Sequence, residues 1–422
     1  MSLGRFGGAG YGRTGSGYRR LGLGSRGYGT VRPGALGSGR GSLVARAFAR
    51  GSLLRRMDWI LLGAVLALSA VGVLLVWSAT QPGLLQSGGD PRTYLKKQLL
   101  NVVIGLVLMV AVSLLDYRLL RAYAPVIYVL ALLGLAGVLS PLGTTVNGAH
   151  AWISLPGGFQ IEPSEFAKLA LVLTTAMILG ELRDGDSRPR VRDTGLVLAC
   201  AAPLVALVAL EPALGVTMVL MTMLLGMITL SGIRLRWLAG LAATAVLAGA
   251  AAWSMHLLKS YQLQRFTSFA HQTADPTGAG YNAAQAKIAI GSGGMFGQGL
   301  FHGQLVAGNF VPSQQTDFIF TVAGEELGFV GTVTIVVLLG VMLTRALRIA
   351  VRAEDPFGML VASGVAIWFA FQAFVNIGMT IGIMPITGLP LPFVSYGGSA
   401  MFADMIAIGL LQAVRRRHTV FA

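Results

Sequence analysis

The chain has 422 residues, a formal charge of +15, one cysteine and only 12% charged residues. Its hydrophobic share of 54% does not include 57 glycines, whereas soluble domains carry about 25% charged residues. These values exclude an ordinary soluble enzyme, an acidic disordered chain and, because Cys200 stands alone, a disulfide-stapled secreted module.

Residues 1–56 hold 11 arginines, 16 glycines and no acid, so they carry +11 of the net charge. This composition predicts a disordered Arg/Gly-rich tail, read as a cytoplasmic extension touching anionic lipid head groups. Tyr11, Tyr18 and Tyr28 interleave with the arginines in a manner that would suit RNA stacking. The remaining 366 residues are close to neutral, so no nucleic-acid partner is expected. The tail has no short apolar core with a cleavage site and is not read as a signal peptide.

A bilayer core of about 30 Å needs about 20 apolar residues per helix. Such runs fall at 59–79, 98–115, 122–140, 163–181, 194–210, 212–232, 237–256, 318–344, 357–381 and 398–414. The fold expected is therefore an all-α polytopic membrane protein of ten transmembrane helices. Glu211-Pro212 separates the fifth and sixth runs as a tight hairpin. With both termini cytoplasmic, 25 of the 32 basic residues lie inside and six outside, with Lys168 within a span. The expected domains are the tail (1–56), a transmembrane domain (57–417) and a short cytoplasmic C-terminus (418–422).

A large extracytoplasmic loop, 257–316, joins helices 7 and 8, and loops of that length are usually functional. Its turn-rich stretch runs from Asp275 to Asn282 and is followed by Gly291, Gly293, Gly294, Gly297 and Gly299. Ala283 to Ile290 is predicted as one short helix.

Ionisable groups inside spans cost about 2.5–3.5 kcal/mol or more each, so each is a candidate site. Glu165 and Lys168 share a helix face at i,i+3, either as a packing ion pair or as a charged cavity wall. Asp317 opens the eighth span, where a carboxylate can cap the helix and also serve as a general base. Glu325 and Glu326 lie two turns deeper, and Asp404 is a single acid in the last span. The five histidines show no metal-ligand spacing, and no Lys-Ser/Thr follows the glycine cluster as a phosphate loop requires. No metal-ligating residue is assigned.

Four ordered blocks carry a specific resemblance: NGAHAWISLPGGFQIEPSEFAKLAL, DPTGAGYNAAQAKIAIGSGG, MFGQGLFHGQLVAGNFVPSQQTDFIFTVAGEELGFVG and GLPLPFVSYGGSAM. From about residue 57 to 417 the chain resembles the SEDS family of bacterial cell-wall proteins (shape, elongation, division and sporulation). The wording of the loop, and Gln160 where division-type members often carry Arg, favour an elongation-type over a division-type member. The resemblance implies a peptidoglycan glycosyltransferase that polymerises lipid II into β-1,4 glycan at the outer face of the plasma membrane. It implies a class B penicillin-binding protein as transpeptidase partner. The family's essential aspartate falls on Asp317, and the Glu and Lys of its P-S-E-F-A-K segment fall on Glu165 and Lys168.

On this reading Asp317 deprotonates the acceptor 4-hydroxyl, and the anomeric carbon of the donor inverts. Lys168, Arg265 and Lys287 are the outside-facing cations available to the diphosphate, and Asp275 and Glu325 are placed with them as substrate-binding residues. A divalent cation, Mg²⁺ or Mn²⁺, is a further candidate for neutralising the leaving group. The chain departs from the family pattern at Ala213, where many members have Asp, and at Ser313, where Glu often follows Pro. The alternatives are a lipid II flippase using the same buried charges and a scaffold that only activates its partner.

Overall fold

The computed structural model describes residues 57–146, 149–154, 160–181, 189–211, 213–233, 239–240, 243, 254 and 278–421. The chain divides into two units, Met1–Ala47 and Phe48–Ala422, and all described residues belong to the second. The Arg/Gly-rich tail, most of the seventh expected span, Arg265 and Asp275 lie outside the described residues.

Helices dominate: α1 (Trp59–Gln86), α2 (Thr93–Leu114), α3 (Tyr117–Leu139), α4 (Pro163–Leu179), α5 (Val191–Leu210) and α6 (Leu214–Leu230) come first. They are followed by α7 (Ala279–Ser292), α8 (Gln304–Ala307), α9 (Ile319–Val351), α10 (Pro356–Ile381) and α11 (Gly398–Phe421). Among the described residues six helices are long and apolar enough to cross a membrane: α1, α2, most of α3, α5, α9 and α10. Nine of the ten expected spans coincide with helices. Of these, α4 and α6 are 17 residues each, and α11 runs past the expected end at 414 to Phe421.

The helix starts follow from local chemistry. Asp58 caps α1 by accepting from the Leu61 N–H at 3.1 Å. Pro163 and Pro356 open α4 and α10, where a missing N–H costs nothing. α2 packs along α11, α9 lies between α1 and α10, and α4 is surrounded by α3, α5, α6 and α10. That placement explains why α4 buries nearly every residue it has.

Two features depart from the all-α expectation. Between α3 and α4 the chain forms a three-stranded antiparallel sheet, β1 (Gly143–Val146), β2 (Ala149–Ser154) and β3 (Gln160–Ile161). Thr144 pairs with Trp152 and Ile153 with Ile161, and a bulge lies between Thr144 and Thr145. The β-branched and aromatic residues here favour strands over helix. The segment expected as a large loop, 257–316, also carries a second helix, α8, beyond the expected one, which itself extends from 279 to 292 as α7.

The second feature is a break in α9. Gly328 takes φ 67° and ψ −162°, and the glycine-rich segment after α7 is spliced into the gap. The N–H groups of Gln298 and Gly299 donate to the carbonyls of Glu325 and Glu326 at 2.9 and 3.0 Å. Beyond the break, the N–H groups of Phe329 and Val330 donate to Gly294 and Met295 at 3.0 and 3.1 Å. The spliced segment thus replaces the helical bonds that the break removes, as an apolar surround requires. A Cβ on Gly293, Gly297 or Gly328 would collide with the facing backbone, which accounts for the glycine cluster.

Candidate active site

A cavity of about 270 Å³ opens where the sheet, the head of α4, the start of α6, the head of α9 and the α10–α11 loop meet. Its polar wall includes Glu162, Ser313, Thr316, Asp317, Tyr396 and Ser399, and Trp152 stands on the sheet side. Its size is near the low end of the roughly 300–1,000 Å³ typical of small-molecule sites.

Asp317 precedes α9 and is half-buried. The expectation that it caps this helix does not hold, because the cap position is Phe318, with no side-chain capping bond. Its main chain is instead pinned. The Asn376 amide of α10 donates to the Asp317 carbonyl at 2.8 Å and to the Leu389 carbonyl at 2.6 Å. Ser395 donates from Oγ to the Thr316 carbonyl at 2.6 Å, and the Tyr396 N–H donates to the Gln315 carbonyl at 2.9 Å. The approach to Asp317 passes through Ser313, held at φ 52°, a left-handed conformation that costs a non-glycine residue energy and often marks a functional site. Asp317 Oδ2 lies beside Gly388, where an added Cβ would come within 3.4 Å of it.

Glu165 and Lys168 form the expected pair, with Nζ 2.8 Å from Oε2, but both side chains are almost completely buried. Lys168 also donates to Gln372 Oε1 at 3.0 Å and sits 4.6 Å from the centre of the Trp368 ring. It is not free to meet a substrate anion, and neither residue lines the cavity. The connection to the site is one step longer. Gln372 passes it on by donating from Nε2 to the Pro390 carbonyl at 2.8 Å, and Pro390 is part of the cavity wall.

The remaining candidates are dispersed. Glu325 is fully buried, accepts from the N–H groups of Leu305 and Val306 at 2.7 and 3.1 Å and so anchors α8, and it does not line the cavity. Glu326 accepts from Ser78 Oγ at 2.6 Å, tying α9 to α1. Lys287 is exposed on α7, with its ammonium end against Gly382 at the end of α10, outside the cavity wall. Asp404 is buried in α11.

Sequence reasoning missed Glu162, the second carboxylate of the cavity. The signal was present, since Glu162, Glu165 and Lys168 repeat every three residues. It also missed Gln372 and Asn376, two amides in an otherwise apolar span, each of which holds a piece of the wall. Among the described residues no group of three or more His, Cys, Asp or Glu side chains is gathered as a metal centre.

A family profile covering FtsW, RodA and SpoVE, described as cell cycle protein, matches residues 58–420. The chain is 36% identical over 363 residues to a probable peptidoglycan glycosyltransferase FtsW of Trichlorobacter lovleyi, covering 85% of this chain and 93% of that protein. It is 36% identical over 366 residues to the peptidoglycan glycosyltransferase MrdB of Escherichia coli K12, covering 87% and 95%. Against the stage V sporulation protein E of Bacillus subtilis the identity is 35% over 366 residues, covering 85% and 97%. Among solved structures, a chain of a peptidoglycan synthase complex that coordinates polymerization and crosslinking superposes with TM-score 0.72 at 33% identity, covering 86% and 98%. The Thermus thermophilus rod shape determining protein RodA superposes with TM-score 0.62 at 32% identity, covering 86% and 97%.

Proposed function

The chain belongs to the FtsW, RodA and SpoVE family of cell cycle proteins, and from that premise we propose that it polymerises lipid II into β-1,4 glycan, with Asp317 as general base. It is a multi-pass membrane enzyme of the peptidoglycan glycosyltransferase class. The observation that carries the mechanism is the position of Asp317, a carboxylate whose main chain is fixed by Asn376 on the wall of a polar cavity.

An ionised Asp317 takes the proton of the acceptor 4-hydroxyl, whose oxygen attacks the anomeric carbon of the donor from the face opposite the diphosphate. One base suffices for inversion. The Glu165–Lys168–Gln372 chain acts behind the wall by holding Pro390 in place. A divalent cation, Mg²⁺ or Mn²⁺, would neutralise leaving-group charge when bound, and no ligand set is assigned to it among the described residues.

The reading extends to cell elongation, on the wording of the loop and Gln160, and to a class B penicillin-binding protein as partner. Both termini are placed in the cytoplasm. The arginine distribution supports this, as does Asp58, which joins the start of α1 to Arg345 in α9 and Arg415 in α11 at one end of the bundle. The test is lipid II polymerisation by the purified full chain in detergent, where a flippase has no gradient of sides to work across. Asp317→Asn is expected to lower the rate by about 10²–10⁴-fold. A rate near that of the wild type would overturn the base assignment, and no polymer from the wild type would favour the transporter or scaffold.

A further inference from the structure

For a lipid-linked diphosphate substrate the cavity presents a charge problem. A lipid-linked diphosphate leaves with growing negative charge, yet no described residue of the wall is basic and two are acids, Asp317 and Glu162. Two ionised carboxylates would repel the leaving group, while a base is needed at only one of them.

Glu162 is held differently from Asp317. It occupies the cap position of α4 without making a capping bond, and its side chain is half-buried. Its N–H donates to Ser399 Oγ at 2.9 Å, which ties it to the α11 rim of the cavity. Ser164 donates from Oγ to Glu162 Oε1 at 2.8 Å and fixes the carboxyl group. The charged groups that face it are Glu165 and Lys168 along α4, Asp317 at the head of α9, and Glu211 at the end of α5. Burial, then the charge of Glu165, push the carboxyl up; Ser164 and Lys168 pull it down and Asp317 pushes it up again, to about 8. The positive end of the helix favours the anion, but burial and the two acids Glu165 and Asp317 outweigh it.

We propose that Glu162 acts in the transfer reaction as a neutral carboxyl that donates a hydrogen bond to the departing diphosphate. The proposal rests on the lipid II reading of the site. In the step, the acceptor proton passes to Asp317, the acceptor oxygen bonds to the anomeric carbon, and the electron pair of the broken C–O bond stays on the diphosphate oxygen. Glu162 keeps its proton and shares it with that oxygen. Two carboxylic groups in one site, one ionised and one not, thereby divide the roles of base and anion-stabilising donor.

The test is the rate of lipid II polymerisation by the purified full chain between pH 6 and 10. The wild type is expected to lose activity on the basic side with a midpoint near 8, as Glu162 ionises. Glu162→Gln, which still donates but does not titrate, is expected to retain most of the neutral-pH rate and to lose that basic limb. Glu162→Ala is expected to fall by about 10²–10³-fold, as when an anion-stabilising donor is removed. Glu211→Gln is expected to keep the limb, although Glu211 is also an acid raised to about 8 by burial and by Glu162. Ser164→Ala, which removes a bond that favours ionised Glu162, is expected to move the limb to higher pH, and provides a reading if Glu162→Gln does not fold. A basic limb unchanged in Glu162→Gln would overturn the proposal. So would a Glu162→Gln variant as inactive as Glu162→Ala that added Mn²⁺ restores, because that result makes Glu162 an ionised cation ligand. Absence of polymer from the wild type at every pH would instead overturn the lipid II reading, and the inference with it.

Discussion

Asp58 and Glu162 occupy equivalent positions at the heads of α1 and α4, and their surroundings drive them to opposite states. At Asp58 burial opposes the charge, but the Arg345 hydrogen bond, the Leu61 N–H and the Arg415 charge outweigh it and hold the carboxyl below its ordinary value. Arg345 donates from Nε to both carboxylate oxygens at 3.1 and 2.9 Å, and from Nη2 to one at 2.6 Å. Glu162 meets no arginine among its described neighbours, and two acids, Glu165 and Asp317, join burial in raising it. The helix dipole is the same in both places, so it does not decide the outcome. The sign of the neighbouring charges does. One end of the bundle is fastened by a satisfied ion cluster, whereas the other keeps acids in a state that chemistry can use.

The contrast breaks most readily at the fastened end. Asp58→Asn leaves Arg345 and Arg415 facing each other with side chains only 18% and 28% exposed. Breaking one partner out of a buried ion pair typically costs about 3–5 kcal/mol, so a large drop in Tm is expected in detergent at neutral pH. The carboxyl's contribution is present above its ordinary value of 3.8 and is lost as pH falls through the depressed one. The gap between wild type and variant should therefore close in acid. An unchanged Tm at neutral pH would mean that the cluster is not what holds α1, α9 and α11 together.

At the other end the corresponding test is catalytic. Gln372→Leu cuts the only described route from Lys168 to the cavity wall, namely the bonds to Lys168 Nζ and to the Pro390 carbonyl. The expected result is a fall of about 10–100-fold in polymerisation rate with the chain still folded, consistent with the sensitivity of catalysis to small misplacements. An unaffected rate would show that the Glu165–Lys168 pair serves packing alone.

The two ends were also unequally legible in the sequence. Apolar run lengths located nine helices because length in a bilayer is a strong physical constraint. Asp317 stood out because the essential aspartate of the resembled family falls on it, not because of its place one residue before a span. Lys168 misled because a buried cation is rare, and the sequence could not show that Glu165, Gln372 and Trp368 had already satisfied it. Glu162 was overlooked because, one residue before its span like Asp317, it looks like an ordinary boundary acid and no motif role marked it. The break at Gly328 was hidden because its hydrogen bonds come from a segment some thirty residues earlier, and a local pattern carries no record of such a partner.

Glu162 allows a smaller, thermodynamic test of the same comparison. Its folded-state value, about 8, lies above the ordinary 4.5, so folding favours the protonated form. The folded state loses stability as pH rises from 4.5 and stops losing it above 8. Glu162→Gln removes that loss. The variant should match the wild type near pH 4 and gain on it steadily as pH rises to 8, above which the gap stays constant, measured as the pH dependence of Tm. A constant difference across the range would place the ionisation elsewhere.

A third acid beside a helix start supplies the smallest expected effect. Asp90 precedes α2, accepts from the Arg92 N–H at 2.9 Å and pairs with Lys96 at 2.7 Å. The Lys96 hydrogen bond, first, and the Arg92 N–H hold its carboxyl below the ordinary value, the same direction as at Asp58. Here, however, the Lys96 and Asp90 side chains are 69% and 49% exposed, so water and salt screen the pair and its ordering costs side-chain entropy. Lys96→Ala should leave Tm unchanged while returning the Asp90 carboxyl toward its ordinary value, followed by NMR titration. A stability loss approaching that of Asp58→Asn would show that charge complementarity alone sets the worth of such a pair. The expected null result would show that burial is what turns the same neighbour sign into stability.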